Sequence, residues 1–295
     1  MISRVSAASA NMRGAAFMVV AMAGFSCNDA MVKLIAQDID LFQALFLRGL
    51  LVTLGFGMLV AATGALKPIR SKRDQKALLG RSVGEIFGAF CFLTALTQMP
   101  LANATAILQS IPLAITLAAA YLLYEPVGLR TYTAIVVGFL GVLVIVRPGT
   151  DGFNAYALLV LAAVIFFTLR DLSTRVLSAD VPTLLAAFIT SGVTTLAAGF
   201  VSIFTGWSGL TPLNTLTLFV SAVGLMIGYH FSIIGMRTGD VGFVSPFRYT
   251  LLIWGIMFGW LVHLEVPDLW MLIGATIIIA AGIFTFYEER RQLRA

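Results

Sequence analysis

Ten apolar runs follow one another along this chain, near 14–34, 42–62, 78–97, 101–122, 129–147, 155–173, 183–204, 213–235, 241–262 and 268–287. A run of about 20 apolar residues, at a rise of about 1.5 Å per residue, is long enough to cross the hydrocarbon layer of a bilayer as a helix. In lipid every backbone N–H and C=O must be satisfied within the structure, which helices achieve on their own. Composition agrees, with 59% of residues hydrophobic and 11% charged, against about 25% charged in an ordinary soluble domain. The expected fold is an all-α membrane protein of ten transmembrane helices. Cys27 and Cys91 both fall in apolar runs, where a structural thiol is expected rather than a disulfide or a metal ligand. No cleavable signal peptide is expected, since the first apolar run is as long as a full span.

The basic residues have a topological reading. Lys67, Arg70, Lys72, Arg73 and Lys76 lie between the second and third runs, Arg4 and Arg13 lie in or near the N-terminal tail, and Arg290, Arg291 and Arg294 follow the last run. With an even number of spans these fall on one side, and the positive-inside rule makes that side, with both termini, cytoplasmic. The net charge of +5 is thereby accounted for without nucleic acid, and the expected surroundings are the lipid bilayer of a bacterial-type inner membrane.

The chain also repeats itself. Asp29 and Lys33 in the first run return as Asp171 and Arg175, each pair 142 residues apart. Gly84 and Gly88 return as Gly224 and Gly228, and Glu125 as Glu265, at an offset of 140. The halves are 1–150 and 151–295, joined by Arg147-Pro148-Gly149-Thr150-Asp151-Gly152. Five spans is an odd number, so the second copy enters the membrane from the opposite side. Inverted five-helix repeats of this kind place a solute site near the midplane, in a central cavity between the halves.

Ionisable side chains inside the spans point to that cavity, because each costs at least about 2.5–3.5 kcal/mol at the bilayer centre and is kept for function. Depth along the helices groups them into an outer set, Asp29, Lys33 and Arg48, and an inner set, Glu85, Arg170, Asp171 and Arg248. The expectation is that these sets are gates broken in turn, the alternative being static pairs that hold helices together. Lys33 and Arg175 lie near helix ends, where snorkelling to the interface is expected. Asp29, Glu85 and Asp171 are the carboxylates available to carry a coupling proton. Between the sets lie Gln109 and Ser110 beside Pro112, Tyr249 and Thr250 beside Pro246, and Tyr229 with His230. Proline frees a helix carbonyl, tolerated in a membrane only where protein or water satisfies it, so the fourth and ninth spans are expected to line the cavity. An aromatic wall of Phe92, Tyr229 and Tyr249 would suit a planar solute.

Five ordered motifs carry a resemblance: Asn28-Asp29-x-x-x-Lys33, Pro100-Leu101-Ala102-Asn103-Ala104-Thr105, Tyr124-Glu125-Pro126, Val146-Arg147-Pro148-Gly149 and Ser245-Pro246-Phe247-Arg248-Tyr249. Together they resemble the drug/metabolite transporter superfamily, EamA branch, over nearly the whole chain. The resemblance implies ten helices, both termini inside, and a cavity lined by the first four helices of each half. It implies transport of a small-molecule metabolite: riboflavin or a similar ring-bearing compound, imported, as the first expectation, and export of amino acids or related amines as the second. An intramembrane enzyme is the rival class, but His-Glu-x-x-His, Gly-x-Ser-x-Gly and Gly-x-x-x-x-Gly-Lys-[Ser/Thr] are all missing from the sequence, so neither metal nor nucleotide cofactor is expected. A channel is the other rival, and scattered charges of both signs suit a two-gate carrier better than a filter of one repeated group. The functional unit is expected to be a monomer or a homodimer.

Overall fold

The computed structural model describes residues 2–122, 128–150, 153–178, 180–238 and 241–292. The first half contains α1 (Ile2–Ile35), α2 (Leu41–Ala62), α3 (Lys72–Leu96), α4 (Leu101–Leu108), α5 (Ile111–Leu122) and α6 (Leu129–Val146). The second contains α7 (Tyr156–Val176), α8 (Thr183–Thr205), α9 (Pro212–Thr238), α10 (Val241–Val244), a 3-10 turn (Ser245–Tyr249), α11 (Thr250–His263) and α12 (Leu269–Gln292). Asp40 starts α2, its carboxylate accepting from the amides of Phe42 and Gln43 at 2.9 and 3.1 Å. Ser71 starts α3 in the same way, accepting from the Asp74 amide at 3.3 Å. Such caps satisfy donors that a helix's first turn cannot.

Among the described residues, nine helical stretches are long and apolar enough to cross a membrane, α4 and α5 together counting as one. The remaining expected span, the ninth, is the divided unit of α10, the 3-10 turn and α11. The fourth and ninth spans are therefore both broken, at equivalent places. Ser110 and Thr250 are 140 residues apart; the Ser110 hydroxyl donates to the Ile107 carbonyl at 2.7 Å and the Thr250 hydroxyl to the Phe247 carbonyl at 2.6 Å. Ile107 and Phe247 share the same offset of 140. Each break has a proline within four residues, Pro112 or Pro246, and a side-chain hydroxyl supplies a donor to a carbonyl at the irregular turn.

The two halves pack through each other. Helix α1 runs antiparallel to α9, with Gly24 against Gly224 and Gly228 and Gly14 against Gly235. The equivalent pair is α3 with α7, where Gly84 meets the backbone of Phe166 and Arg170 and Gly80 meets Ser173. Helix α2 crosses its own repeat mate α8, Thr53 bonding Ser191 and Thr195 at 2.8 and 3.1 Å. Helix α6 crosses its mate α12 at Gly141 and Gly274. These four contacts, each between halves, are the most extensive among the described elements. Small residues let the backbones approach. Their equivalence under exchange of halves is what an inverted repeat requires. Glu125, the expected mate of Glu265, lies outside the described residues.

Candidate functional site

A cavity opens where α2, α3, α8 and α9 meet, two helices from each half. Arg48 enters it from α2, Arg81 and Glu85 from α3, Tyr229 from α9, and the face of α8 presents Thr190, Ser191, Thr194 and Thr195. Of the residues expected from sequence to form the site, Arg48, Glu85 and Tyr229 line this cavity; the others do not. The lining comes from four helices rather than the expected eight.

The outer charged set is divided. Lys33 does not join Asp29 and Arg48: it is buried, donates to the Met99 carbonyl at 2.6 Å and ion-pairs with Glu265. The snorkelling expected of Lys33 is thereby overturned, since a carboxylate between α11 and α12 satisfies its ammonium inside the protein. The other oxygen of Glu265 accepts from the Leu101 amide at 2.7 Å, at the start of α4. At the same end Arg147 pairs with Asp268, and His263 Nε2 lies 3.1 Å from the Ala30 carbonyl.

Asp29 and Arg48 are held apart by Asn28. The Arg48 guanidinium donates through Nη1 to Asn28 Oδ1 at 2.6 Å, and Asn28 Nδ2 donates to Asp29 Oδ1 at 2.9 Å. Ser221 on α9 donates to the same Asn28 oxygen at 2.9 Å. The expected Asp29–Arg48 ion pair is thus replaced by an amide bridge.

The inner set assembles in part. Arg170 on α7 donates to Glu85 at 3.1 Å and to its neighbour Asp171 at 2.7 Å, while its guanidinium lies 4.6 Å over the Phe167 ring. The second Glu85 oxygen accepts from the Tyr229 hydroxyl at 3.3 Å. One turn below Glu85 on α3, Arg81 donates to the hydroxyls of Thr190, at 3.2 Å, and Thr174. Arg248 is exposed in the 3-10 turn and makes no direct ion pair among the described residues, although its charge acts on Asp171. Arg175 is exposed at the end of α7.

The residues at the two helix breaks lie outside the cavity lining. Gln109 and Ser110 are buried in the turn between α4 and α5. The Tyr249 hydroxyl packs into the notch left by Gly282 on α12. Buried Gln109 Nε2 and Tyr249 Oη have no hydrogen-bond partner among the described residues, and the two residues are again 140 apart. His230 is exposed, edge-on to Phe231, and Phe92 is part of the main apolar core. The expected wall of Phe92, Tyr229 and Tyr249 therefore does not form. Tyr229 is flanked instead by Phe25 and Phe56, both edge-on, at 5.3 and 5.7 Å between ring centroids.

Arg81 and the α8 hydroxyls are the lining residues that sequence reasoning passed over. Arg81 follows the Lys67–Lys76 basic run by five residues and so reads as one more topological base. The hydroxyls did carry a signal: Thr190 with Thr194 and Ser191 with Thr195 are two i, i+4 pairs, a polar stripe on an otherwise apolar helix.

Residues 12–147 and 154–287 each match the EamA-like transporter family. The chain belongs to that family. Curated relatives run along most of it. An S-adenosylmethionine uptake transporter of Rickettsia felis is 24% identical over 95% of this chain and 94% of its own. A riboflavin transporter of Rhizobium johnstonii is 29% identical over 73% of this chain and 72% of its own. A pseudopaline exporter of Pseudomonas aeruginosa is 27% identical over 92% and 94%. One solved crystal structure, 19% identical, superposes with a TM-score of 0.64 over 97% of this chain and 99% of its own, a likeness of fold.

Proposed function

We propose that this EamA-like transporter carries a small organic metabolite across the bacterial inner membrane by alternating access, with both termini cytoplasmic. The halves 1–150 and 151–295 rock against each other about the cavity between α2, α3, α8 and α9. The observation that carries this reading is that both halves wall one cavity, the first supplying Arg48, Arg81 and Glu85 and the second the α8 hydroxyls and Tyr229, so relative movement of the halves re-forms the site. Lys33–Glu265 on one side, and Arg170 with Glu85 and Asp171 on the other, are the ionic contacts that such a movement would exchange for water.

Two solute classes remain from the sequence, riboflavin-type uptake and export of amino acids or related amines. Relatives named for riboflavin and the rings around Tyr229 support the first. The cavity favours the second class of solute: Phe92 and Tyr249 are outside it, while Arg48, Arg81, Glu85 and the α8 hydroxyls line it. Such a lining suits a charged, hydrogen-bonding solute more than a flat neutral ring.

Proteoliposomes containing the full chain test the carrier reading, with riboflavin and amino acids offered separately. A carrier gives saturable flux that is accelerated by unlabelled solute on the far side. Flux that rises in proportion to concentration, without such acceleration, would instead indicate a channel.

A further inference from the structure

Arg48 is a buried cation with donors to spare. It is 8% exposed, yet among the described residues its guanidinium makes one hydrogen bond, to Asn28, and no ion pair. Its buried Nε has no partner among the described residues. A desolvated guanidinium with no carboxylate bonded to it directly is costly. Asp29 and Glu85 are near enough for their charges to act on it, but neither bonds it directly, and Asn28 is pinned between Arg48 and Asp29 by Arg48, Ser221 and Asp29 itself. Thr194 faces the same cavity and also has a buried hydroxyl without a partner.

We infer, on the carrier reading above, that this corner of the cavity binds the carboxylate of the transported solute, with Arg48 as its anchor and Thr194 as a second donor. Both unpartnered atoms can donate, and a carboxylate is a group that only accepts. The planar guanidinium fork matches two carboxylate oxygens. A dianionic phosphate fits less well: the other lining guanidinium, Arg81, already uses Nε and Nη1 on Thr190 and Thr174. Glu85 lines the same cavity from α3, bonded to Arg170 and Tyr229, and its negative charge would favour a solute that also carries a cationic group.

The test uses the full chain in proteoliposomes, with five probes: proteinogenic amino acids, S-adenosylmethionine, the carboxamides of the same amino acids, glycerol 3-phosphate and riboflavin. Saturable flux is expected for a carboxylated probe, with its carboxamide carried at least about tenfold less well, the scale of a lost charged hydrogen bond. Asn28→Asp places an internal carboxylate against Arg48. It should raise the half-saturating concentration for the carboxylated probe by at least about tenfold while leaving the protein folded. Arg48→Lys, which keeps the charge and loses the fork, should raise it as well. Equal flux of acid and carboxamide, saturable flux confined to riboflavin or glycerol 3-phosphate, or an unchanged half-saturating concentration in Asn28→Asp overturns the inference and leaves the carrier reading standing. No saturable flux of any probe overturns both.

Discussion

Gly84 on α3 stands so close to Arg170 on α7 that a methyl group added to the glycine would fall 2.7 Å from the Arg170 backbone nitrogen and 2.5 Å from the Phe166 carbonyl oxygen. The contact sets where Arg170 leaves its helix, and therefore where its guanidinium meets Glu85. Across the pseudo-two-fold, Gly224 approaches Gly24 in the same manner, its added Cβ falling 2.9 Å from the Gly24 carbonyl oxygen. Both obstacles are backbone, which cannot swing aside as a side chain can.

Gly84→Ala and Gly24→Ala should each destabilise the protein by about 1–3 kcal/mol, the usual cost of forcing extra volume into a packed contact. Thermal unfolding in detergent would show this, with Gly209→Ala as control, since an added Cβ there meets nothing within 4 Å. Equal melting temperatures for all three would mean that these helices are not seated as closely as described.

Lys33 and Glu265 invite a double-mutant cycle. Glu265→Gln leaves the Lys33 ammonium buried without its counter-charge, a loss of about 3–5 kcal/mol where a buried pair is broken from one side. Glu265 also accepts from the start of α4, a bond the glutamine oxygen can keep. Lys33→Met combined with Glu265→Gln should therefore recover a large part of the stability lost in Glu265→Gln alone. Additive losses would show that the pair is not coupled.

Glu85 joins three helices, through Arg170 on α7 and Tyr229 on α9. Glu85→Gln keeps the shape and removes the charge, while Asp171 still holds Arg170. Flux is expected to fall by about tenfold or more, with a smaller effect on melting because Arg170 retains one carboxylate. The measurement is initial flux beside thermal unfolding. A variant that melts early but transports normally would assign Glu85 to structure alone.

Tyr249 buries a hydroxyl with no partner among the described residues. Leaving such a group unsatisfied costs about 1–3 kcal/mol, so its removal should help rather than harm. Tyr249→Phe is expected to unfold at the same or a higher temperature than the parent protein. A clear loss of stability would show that the hydroxyl is bonded after all.

Much of the architecture can be read in the chain because the membrane makes its rules simple. Apolar length gives the spans, and the offsets of 142 and 140 give the inversion and the glycine pairs that carry it. Even the two breaks, at Ser110 and Thr250, were signalled by neighbouring prolines. The site was less legible, since helical phase and long-range pairing decide it. Tyr229 and His230 are adjacent and so point about 100° apart; only Tyr229 reaches the cavity, and His230 is exposed. Depth along the helices puts Asp29 and Lys33 in one cluster, but Lys33 lies near the end of α1, where Glu265 reaches it from 232 residues away. No local pattern announces such a partner. Asn28 stands in the sequence only as a neutral neighbour of Asp29, although its amide bridges Asp29 and Arg48.

The interlocking of α1 with α9, α3 with α7, α2 with α8 and α6 with α12 bears on how the molecule is made. A nascent chain that has delivered only its first five spans lacks the surfaces those helices rest on, so its glycine-lined faces must wait in lipid until the later spans arrive. Stable assembly is therefore a late event, completed only when α12 settles against α6. By the same logic, a gene holding a single copy of this unit would need two products inserted in opposite directions, each serving as the mould for the other.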